Sequence, residues 1–300
     1  MFDHALCLAW SWEHDADFVR LTKEACARRG LLLLQVTPEN LDPVLAGLAL
    51  GEISFSALLD RASDADDRFQ PLVDWARQHN ACRINPQEQC RWAWDKATMH
   101  LEFLTAGLEL PHTIILPPFS KQSHLPPEDL RPLGGSFAIK PAGRGGGEGV
   151  VLEAASWEQA LDVRRQFPEE KYLLQEHVSP RRLGGRPAWF RILVCSGAVY
   201  PCWWDPITHI YTRVSADERF RFGLRSLREV PLRIAGICRL DLFSTEIALA
   251  EDGRFLVVDY VNDPVDMRLQ SKAVDGVPDV MVENIAARLA RLAENCPAGR

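Results

Sequence analysis

The most informative stretch for the fold of this chain is Ser136-Phe-Ala-Ile-Lys140-Pro-Ala-Gly143-Arg-Gly-Gly-Gly147-Glu-Gly149-Val-Val-Leu152. An apolar run leads to Lys140, five glycines follow within seven residues, and a second apolar run leaves the loop. This order predicts a β-hairpin with a glycine-rich tip. Glycine lets the backbone adopt positive φ and approach a ligand closely, so that several N–H groups can point at one anion. We expect phosphate to bind at Lys140, Gly145, Gly146 and Gly147; the alternative is a flexible surface hairpin.

Other phosphate-binding loops differ from this one in the order of their parts. A Walker A loop places Gly-Lys-Ser/Thr at the start of a helix, whereas here the lysine precedes the glycines and a strand follows. The motif Gly-x-Gly-x-x-Gly fails in both registers, because Glu148 or Val150 occupies the last position. A protein kinase carries its lysine on the strand after the glycines. The remaining pattern resembles the ATP-grasp superfamily, in which a two-stranded lid closes over the ATP phosphates. Within that superfamily the chain resembles the carboxylate–amine ligases of the ribosomal-protein modification and glutathione synthetase types.

Composition bounds the class of protein. The chain has 300 residues, of which 47% are hydrophobic and 25% are charged, enough for more than one core. Its net charge of -7 argues against a nucleic-acid partner. The apolar runs are too short to cross a bilayer, the start lacks a basic targeting region, and the eight cysteines include no Cys-x-x-Cys pair. We therefore expect a cytoplasmic protein with no membrane segment and no zinc site or disulfide framework.

The chain begins with a pattern that predicts a parallel β-α-β unit between Ala5 and Val36. Between Thr37 and Asp67 the pattern is poor and predicts loops and short helices. Residues Trp12 to Asp15 follow the first strand, where they either line a substrate pocket or pack under and cap a helix. The predicted fold is α+β: a small α/β domain over 1–84, then an ATP-grasp domain over 85–300 whose two subdomains clamp ATP. The lid subdomain spans about 111–175 and the C-terminal catalytic subdomain about 176–300.

One helix is predicted from Asn85 to about Ala106, because Asn85-Pro-Gln-Glu88 supplies a cap, a proline in the first turn and an acid three residues after the cap. Lys96 lies on it. The resemblance implies that this lysine reaches ATP; a solvated helical lysine is the alternative. Apolar residues at helical spacing predict the buried stripe, which contains Cys90, Trp94, Ala97, Leu101 and Leu104.

Two strands follow the hairpin. The run Lys171–Val178 predicts the first, and the resemblance implies that Gln175, Glu176, His177 and Val178 meet the adenine between the lobes. His177 alone also fits an ordinary, partly buried histidine. The segment after it lacks the acid that family members use for the ribose. On the second strand, Arg191 stands where the family has Asp-x-Arg, although Trp189 replaces the acid. The resemblance implies that Arg191 binds the transferred phosphoryl group with two hydrogen bonds; a surface arginine is the alternative.

The sequence Glu251-Asp-Gly253 predicts a hairpin turn that pairs Glu246 with the region of Asp259 to Asn262. Buried acids raise each other's pKa unless a cation lies between them, and Mg²⁺ prefers carboxylate and amide oxygens. The spacing resembles the family's metal triad, which implies Glu246, Asp259 and Asn262 as ligands. An Asp-x-x-Asn spacing requires a bulge or a strand end, and Asp241 or Asp263 remains a possible replacement. Arg268, in the following loop, is implied as a contact to the acceptor.

The resemblance implies an ATP- and Mg²⁺-dependent ligase. A substrate carboxylate attacks the γ-phosphate, and an amine or similar nucleophile captures the acylphosphate, with release of ADP and phosphate. The expected partners are small-molecule or peptide carboxylates and amines, and a homodimer is an open possibility. Two alternatives remain: an ATP-grasp kinase that phosphorylates a small-molecule hydroxyl, and an inactive nucleotide-binding regulatory protein.

Overall fold

The computed structural model describes residues 3–296. Its N-terminal region is built on a parallel sheet with the strand order β2-β1-β3-β4. Leu6 of β1 pairs with Leu33 of β2, so the predicted β-α-β unit is confirmed. The prediction of loops and short helices from Thr37 to Asp67 is wrong in part, because β3 lies there beside β1. Nearly every residue of β3 is buried, so its sequence shows no alternation. The elements are β1 (His4–Trp10), α1 (Ala16–Ala27), β2 (Leu33–Val36), α2 (Leu41–Leu50), β3 (Phe55–Arg61), α3 (Gln70–Gln78) and β4 (Cys82–Ile84).

The single helix predicted from Asn85 to Ala106 is wrong: two helices occupy the segment, α4 (Gln87–Trp94) and α5 (Lys96–Thr105). Asp95 between them is extended, with ψ at 96°, and its carboxylate caps α5 by accepting a hydrogen bond from the Thr98 N–H. The break shifts the helical phase, so the predicted stripe fails in its second half. Leu101 and Leu104 are 55% and 57% exposed, whereas the predicted Ala97 is buried together with Met99, His100 and Phe103.

The glycine-rich hairpin is confirmed within an antiparallel lid sheet of order β5-β8-β6-β7. Gly146 and Gly147 at its tip have φ of 60° and 79°, a conformation that side chains other than glycine rarely adopt. The elements are β5 (Thr113–Leu116), β6 (Phe137–Pro141), β7 (Val151–Ala154), α6 (Trp157–Val163) and β8 (Tyr172–Glu176). The tip therefore stands out from a sheet that holds it at both ends.

The C-terminal region is an antiparallel sheet of order β13-β12-β11-β14-β15. Its elements, with a two-stranded ribbon and three helices, are β9 (Arg182–Leu183), β10 (Arg186–Pro187), β11 (Trp189–Cys195), β12 (Ala198–Trp204), β13 (Tyr211–Arg213), α7 (Ala216–Arg221), α8 (Ser226–Cys238), β14 (Leu242–Leu249), β15 (Phe255–Asn262) and α9 (Asp279–Asn295). The predicted hairpin joins β14 to β15, and Gly253 in its turn has a φ of 90°.

One hydrophobic core spans the N-terminal and C-terminal regions. Leu6 and Phe18 lie in the same buried cluster as Leu193 of β11 and Ile285 of α9. Arg61 adds a polar link, because its guanidinium donates to the carbonyl of Val265 at 2.9 Å. The N-terminal sheet is thereby fixed against the end of β15. In the part of the chain from 3 to 296, we find no helix with the length and hydropathy to cross a membrane.

Candidate active site

A cleft of about 360 Å³ separates the lid tip from the end of β15. Its walls bring together Gly145, Gly146, Lys96 and Asn262, which the sequence predicts for one site. A Cβ added at Gly145 or Gly146 would meet no atom within 4 Å, so the tip presents bare backbone to open space. We call this space the lid cleft.

Lys96 opens α5 directly below the lid tip. Its backbone N–H donates to the carbonyl of Ala142 at 2.9 Å, and its Nζ donates to the carbonyl of Arg144 at 2.6 Å. Lys171 Nζ, at the base of the lid, lies 2.7 Å from the carboxylate of Asp95. The lysine that the resemblance assigns to ATP therefore contacts the glycine loop itself.

Lys140 projects from β6 into the space between the lid and β15. Its Nζ lies 2.7 Å from Gln175 Oε1 and 3.4 Å from the carbonyl of Val258. Burial lowers the pKa of the Lys140 ammonium, and the Asp259 and Glu246 carboxylates oppose that shift. The lysine places positive charge beside the two acids of the predicted metal site.

Gln175 continues a buried hydrogen-bond network behind Lys140. Its Nε2 lies 3.2 Å from Tyr260 Oη, and Tyr260 Oη lies 2.6 Å from His100 Nδ1. Burial, aided by the charge of His112, lowers the pKa of His100 to about 4. A neutral imidazole can accept the tyrosine hydrogen, which lets every bond of the network form at once. The network ties α5 and β15 to the lid lysine.

This network predicts a pH dependence of stability. In the unfolded chain His100 binds a proton below about pH 6.5, whereas the buried imidazole binds one only below about pH 4. This histidine should therefore lower the free energy of unfolding by up to about 3 kcal/mol as the pH falls through that range. Urea unfolding measures the free energy of unfolding at pH 7.5 and at pH 4.5. The decrease between the two pH values should be smaller for His100→Gln than for the unaltered protein. His124→Gln, at an exposed site, is the control. If the decrease in unfolding free energy is the same for His100→Gln and His124→Gln, the lowered pKa of His100 is not its cause.

The predicted adenine segment runs from the lid sheet to the C-terminal sheet. Gln175 is 2% exposed and binds Lys140, so its side chain points inward. Glu176 Oε1 accepts a hydrogen bond from the His112 N–H at 2.7 Å. His177 and Val178 follow the last residue of β8, and His177 Nε2 lies 3.8 Å from Glu153. The side chains of Gln175 and Glu176 are thus held by other groups, while the backbone after them crosses between the lobes.

Glu246 and Asp259 face each other across β14 and β15 as direct pairing partners. The ladder shifts register on both sides of Glu246, which is the bulge that the Asp-x-x-Asn spacing requires. Asn262 Nδ2 donates to Asp259 Oδ2 at 3.0 Å. The hairpin therefore brings all three predicted metal ligands together, with the Asn262 carbonyl oxygen as the atom available to a cation.

The protonation chemistry of this trio fits a dication. Burial and the neighbouring Asp259 raise the pKa of Glu246. Burial alone would raise the pKa of Asp259 as well, but the positive charges of Lys96 and Lys140 outweigh it and hold the pKa of that carboxyl below its usual value. Two carboxylates and an amide oxygen form a donor set that suits Mg²⁺. Within residues 3–296 no group of three His, Cys, Asp or Glu side chains is placed to hold a metal ion, so the predicted site depends on the Asn262 amide as its third ligand. Asp263, a proposed substitute, accepts a hydrogen bond from Asn85 Nδ2 at 3.0 Å.

Arg191 lies beside the trio on β11. Its Nη1 is 3.4 Å from Glu246 Oε1, its Nε is 3.3 Å from Ser244 Oγ, and its guanidinium carbon lies 4.9 Å from the centre of the Trp204 ring. Trp189, which replaces the family's acid, donates its indole N–H to Glu246 Oε2 at 3.0 Å. The substitution therefore keeps a polar contact to the predicted metal ligand.

Solved structures with the same architecture were found, although no family model and no curated protein sequence matches the chain. A RimK domain ATP-grasp protein from Sphaerobacter thermophilus is 19% identical, with a TM-score of 0.63 over 96% of this chain and 100% of the other. D-alanine–D-alanine ligase from Bacillus anthracis, complexed with ATP, is 11% identical, with a TM-score of 0.61 over 96% and 98%. The ATP-grasp ligase PsnB, complexed with minimal precursor, Mg and ADP, is 13% identical, with a TM-score of 0.62 over 96% and 99%. The chain has the ATP-grasp fold.

Arg268 and the segment from Trp12 to Asp15 are further candidates from the sequence, and none of them lines the lid cleft. Arg268 Nη2 lies 2.7 Å from Asp266 and 2.8 Å from Asp275, so two carboxylates already balance its charge. Asp15 is 1% exposed and bound by both guanidinium nitrogens of Arg61, which gives it a structural role. Trp12 remains exposed, 5.9 Å from the Arg268 guanidinium.

Asn85 links the end of β4 to β14 and to the residue after β15, a role that its sequence pattern does not predict. Its Nδ2 donates to the carbonyl of Leu242 at 2.6 Å and to Asp263, and its Oδ1 accepts from the N–H groups of Asp241 and Leu242. Pro86, not Asn85, is the N-cap of α4. The Asn-Pro pair predicts a helix start, and no local signal reveals partners more than 150 residues away in the chain.

Proposed function

We propose that this protein is an ATP- and Mg²⁺-dependent ligase that joins a carboxylate to an amine through an acylphosphate and releases ADP and phosphate. The observation that supports it most is the convergence of cations on one acidic pair. Lys140 and Arg191 both lie near Glu246 and Asp259, and Asn262, which is hydrogen-bonded to Asp259, lines the lid cleft with the glycine tip. That arrangement suits a terminal phosphoryl group in transfer.

Different residues of the chain would bind the phosphates, the adenine and the metal ion. Backbone N–H groups of the glycine tip, with Lys96, would hold the phosphates, while the segment after β8 would receive the adenine through its backbone. Lys140 and Arg191 would balance the charge that builds up on the γ-phosphoryl group as it moves. Glu246, Asp259 and Asn262 would hold Mg²⁺, which when bound supplies a positive charge shared by the phosphate oxygens.

The reaction proceeds in two balanced steps. A carboxylate oxygen of the substrate forms a bond to the γ-phosphorus, and the bond between that phosphorus and the bridging oxygen breaks, which releases ADP. The substrate ammonium gives one proton to water, and the free amine nitrogen then attacks the acyl carbon. The bond between that carbon and the phosphate oxygen breaks, which releases phosphate, and the nitrogen loses one further proton to water as the amide forms. One structural neighbour supports the release of ADP, since the ligase PsnB is complexed with Mg and ADP.

Hydroxylamine tests the proposal, because it converts an acylphosphate to a stable hydroxamate. Incubation with Mg-ATP, hydroxylamine and a panel of carboxylic acids should give a hydroxamate and an equal amount of ADP for the accepted acid. A stable phosphoester that hydroxylamine does not cleave would replace the proposal with the kinase alternative. Tight ATP binding without turnover on any acid would favour the regulatory alternative.

Arg191→Lys should slow hydroxamate formation by about 10-fold or more while changing ATP affinity less than about threefold. A lysine keeps the charge but cannot form the bidentate contact that a guanidinium makes to a phosphoryl group. The matched control is Arg254→Lys, in the exposed turn of the same sheet. An equal loss of rate and of ATP affinity in Arg191→Lys would place this arginine on the ground-state nucleotide instead.

A further inference from the structure

The glycine-rich loop begins with residues 142–144, which we call the loop entry. The Ala142 N–H donates to the carbonyl of Lys171 at 2.9 Å, and the Ala142 carbonyl accepts from the N–H of Lys96 at 2.9 Å. The Lys171 ammonium lies 2.7 Å from the carboxylate of Asp95, which caps α5. The loop entry therefore has a fixed place between the lid sheet and the start of α5.

Glu170 adds a side-chain contact to the loop entry. Its Oε2 accepts a hydrogen bond from the Gly143 N–H at 3.0 Å, and its Oε1 lies 3.5 Å from Arg144 Nε. The Arg144 guanidinium packs over the Phe167 ring, with its central carbon 4.4 Å from the ring centre. A hydrogen bond from a backbone N–H to a carboxylate is stronger than one between neutral groups. Glu170 thus anchors the backbone at the point where the loop leaves β6.

Gly143 leaves the space that this contact needs. A Cβ added at Gly143 would lie 2.9 Å from Glu170 Oε2, closer than real Cβ atoms approach, and would displace the carboxylate. The φ of Gly143 lies outside the left-handed region, so the backbone conformation does not require glycine here. By contrast, a Cβ added at Gly145, Gly146 or Gly147 would meet no atom within 4 Å. The loop is therefore held closely at its entry and open at its tip.

We propose that Glu170 is a positioning residue for nucleotide binding: it fixes the loop entry, so that the N–H groups of the tip are held towards the terminal phosphates of ATP. The inference rests on the proposed function, which assigns those phosphates to the tip and to Lys96. Glu170 lies outside the lining of the lid cleft, so it acts through Gly143 and Arg144 and not through contact with ATP. A loop whose entry is already ordered loses less conformational entropy when its tip closes on a ligand.

Two single variants remove the contact from opposite sides. Glu170→Ala deletes the acceptor, and Gly143→Ala displaces it, so each should weaken Mg-ATP binding by about tenfold in titration calorimetry. AMP, which lacks the terminal phosphates, should bind each variant within about twofold of the unaltered protein. Because both variants break the same contact, the double variant should also lose about tenfold, whereas independent effects would multiply to about 100-fold.

Two further variants of neighbouring glutamates serve as controls. Glu170→Gln keeps an oxygen that can accept from the Gly143 N–H, and should bind Mg-ATP within about threefold of the unaltered protein. Glu169→Ala removes the adjacent, exposed acid and should leave both affinities unchanged. A loss in Glu170→Gln as large as in Glu170→Ala would assign the effect to the charge facing Arg144 and overturn the proposed anchor.

The remaining outcomes separate this inference from the proposed function. Equal Mg-ATP affinities in Glu170→Ala and Glu169→Ala, or losses that multiply in the double variant, would overturn the positioning role alone. A loss of AMP binding equal to the loss of Mg-ATP binding would indicate general damage to the lid and would overturn it too. If the unaltered protein binds Mg-ATP no more tightly than AMP, the tip does not hold the terminal phosphates and the ligase proposal fails with it.

Discussion

Replacing Lys140 by alanine is expected to weaken Mg-ATP binding by about 100-fold and to abolish turnover. The Lys140 ammonium lies between Gln175 and the carbonyl of Val258, near the Asp259 and Glu246 carboxylates. Alanine removes a charge-assisted contact to the phosphates, worth about 1.5–3 kcal/mol, and leaves the two carboxylates to repel the nucleotide. Titration calorimetry with Mg-ATP measures the loss directly.

Lys121→Ala provides the control, because this lysine is exposed and lies outside the lid cleft. It should bind Mg-ATP as the unaltered protein does. A thermal unfolding curve for Lys140→Ala separates lost binding from lost folding. If folded Lys140→Ala binds Mg-ATP as tightly as Lys121→Ala, Lys140 is not a phosphate ligand.

Asp259→Asn is expected to remove the dependence of nucleotide binding on Mg²⁺. Asp259 faces Glu246 directly and accepts a hydrogen bond from Asn262, so it lies at the centre of the trio. Asparagine removes one of the two negative charges that favour a dication and also reduces the repulsion toward free ATP. ATP affinities measured with Mg²⁺ and with EDTA should differ by at least about tenfold in the unaltered protein and by less than about twofold in the variant.

Asp252→Asn, in the exposed turn that joins the same two strands, should retain the full Mg²⁺ dependence. The register of the metal site would be wrong if Asp241→Asn or Asp263→Asn removed the dependence while Asp259→Asn kept it. The comparison separates the three candidate acids, because Asp241 precedes β14, Asp259 lies within β15 and Asp263 follows β15.

Features encoded by adjacent residues could be predicted from the sequence. The glycine tip and the Glu251–Gly253 turn each carry their own signal, since positive φ and tight turns depend on a few consecutive residues. The second turn then forces Glu246 opposite Asp259, so the grouping of the predicted metal ligands follows from one local signal. Their assignment to Mg²⁺ stays a prediction.

Features set by distant contacts could not be predicted. Strand β3 lacks alternation because it is buried on both faces, and the helix break at Asp95 depends on a cap that also binds Lys171 of the lid. The inward position of Gln175 requires Tyr260 and Lys140 from two other strands. No spacing within a single segment reports such contacts.

The fate of the carboxylate oxygens tests the proposed chemistry most directly. The acid selected by the hydroxylamine screen is labelled with ¹⁸O at both carboxylate oxygens and allowed to react with Mg-ATP and an amine, and the phosphate is analysed by mass spectrometry. Transfer through an acylphosphate predicts one ¹⁸O atom in each phosphate released and one in the amide. Label in AMP, or unlabelled phosphate beside a labelled product, would contradict it.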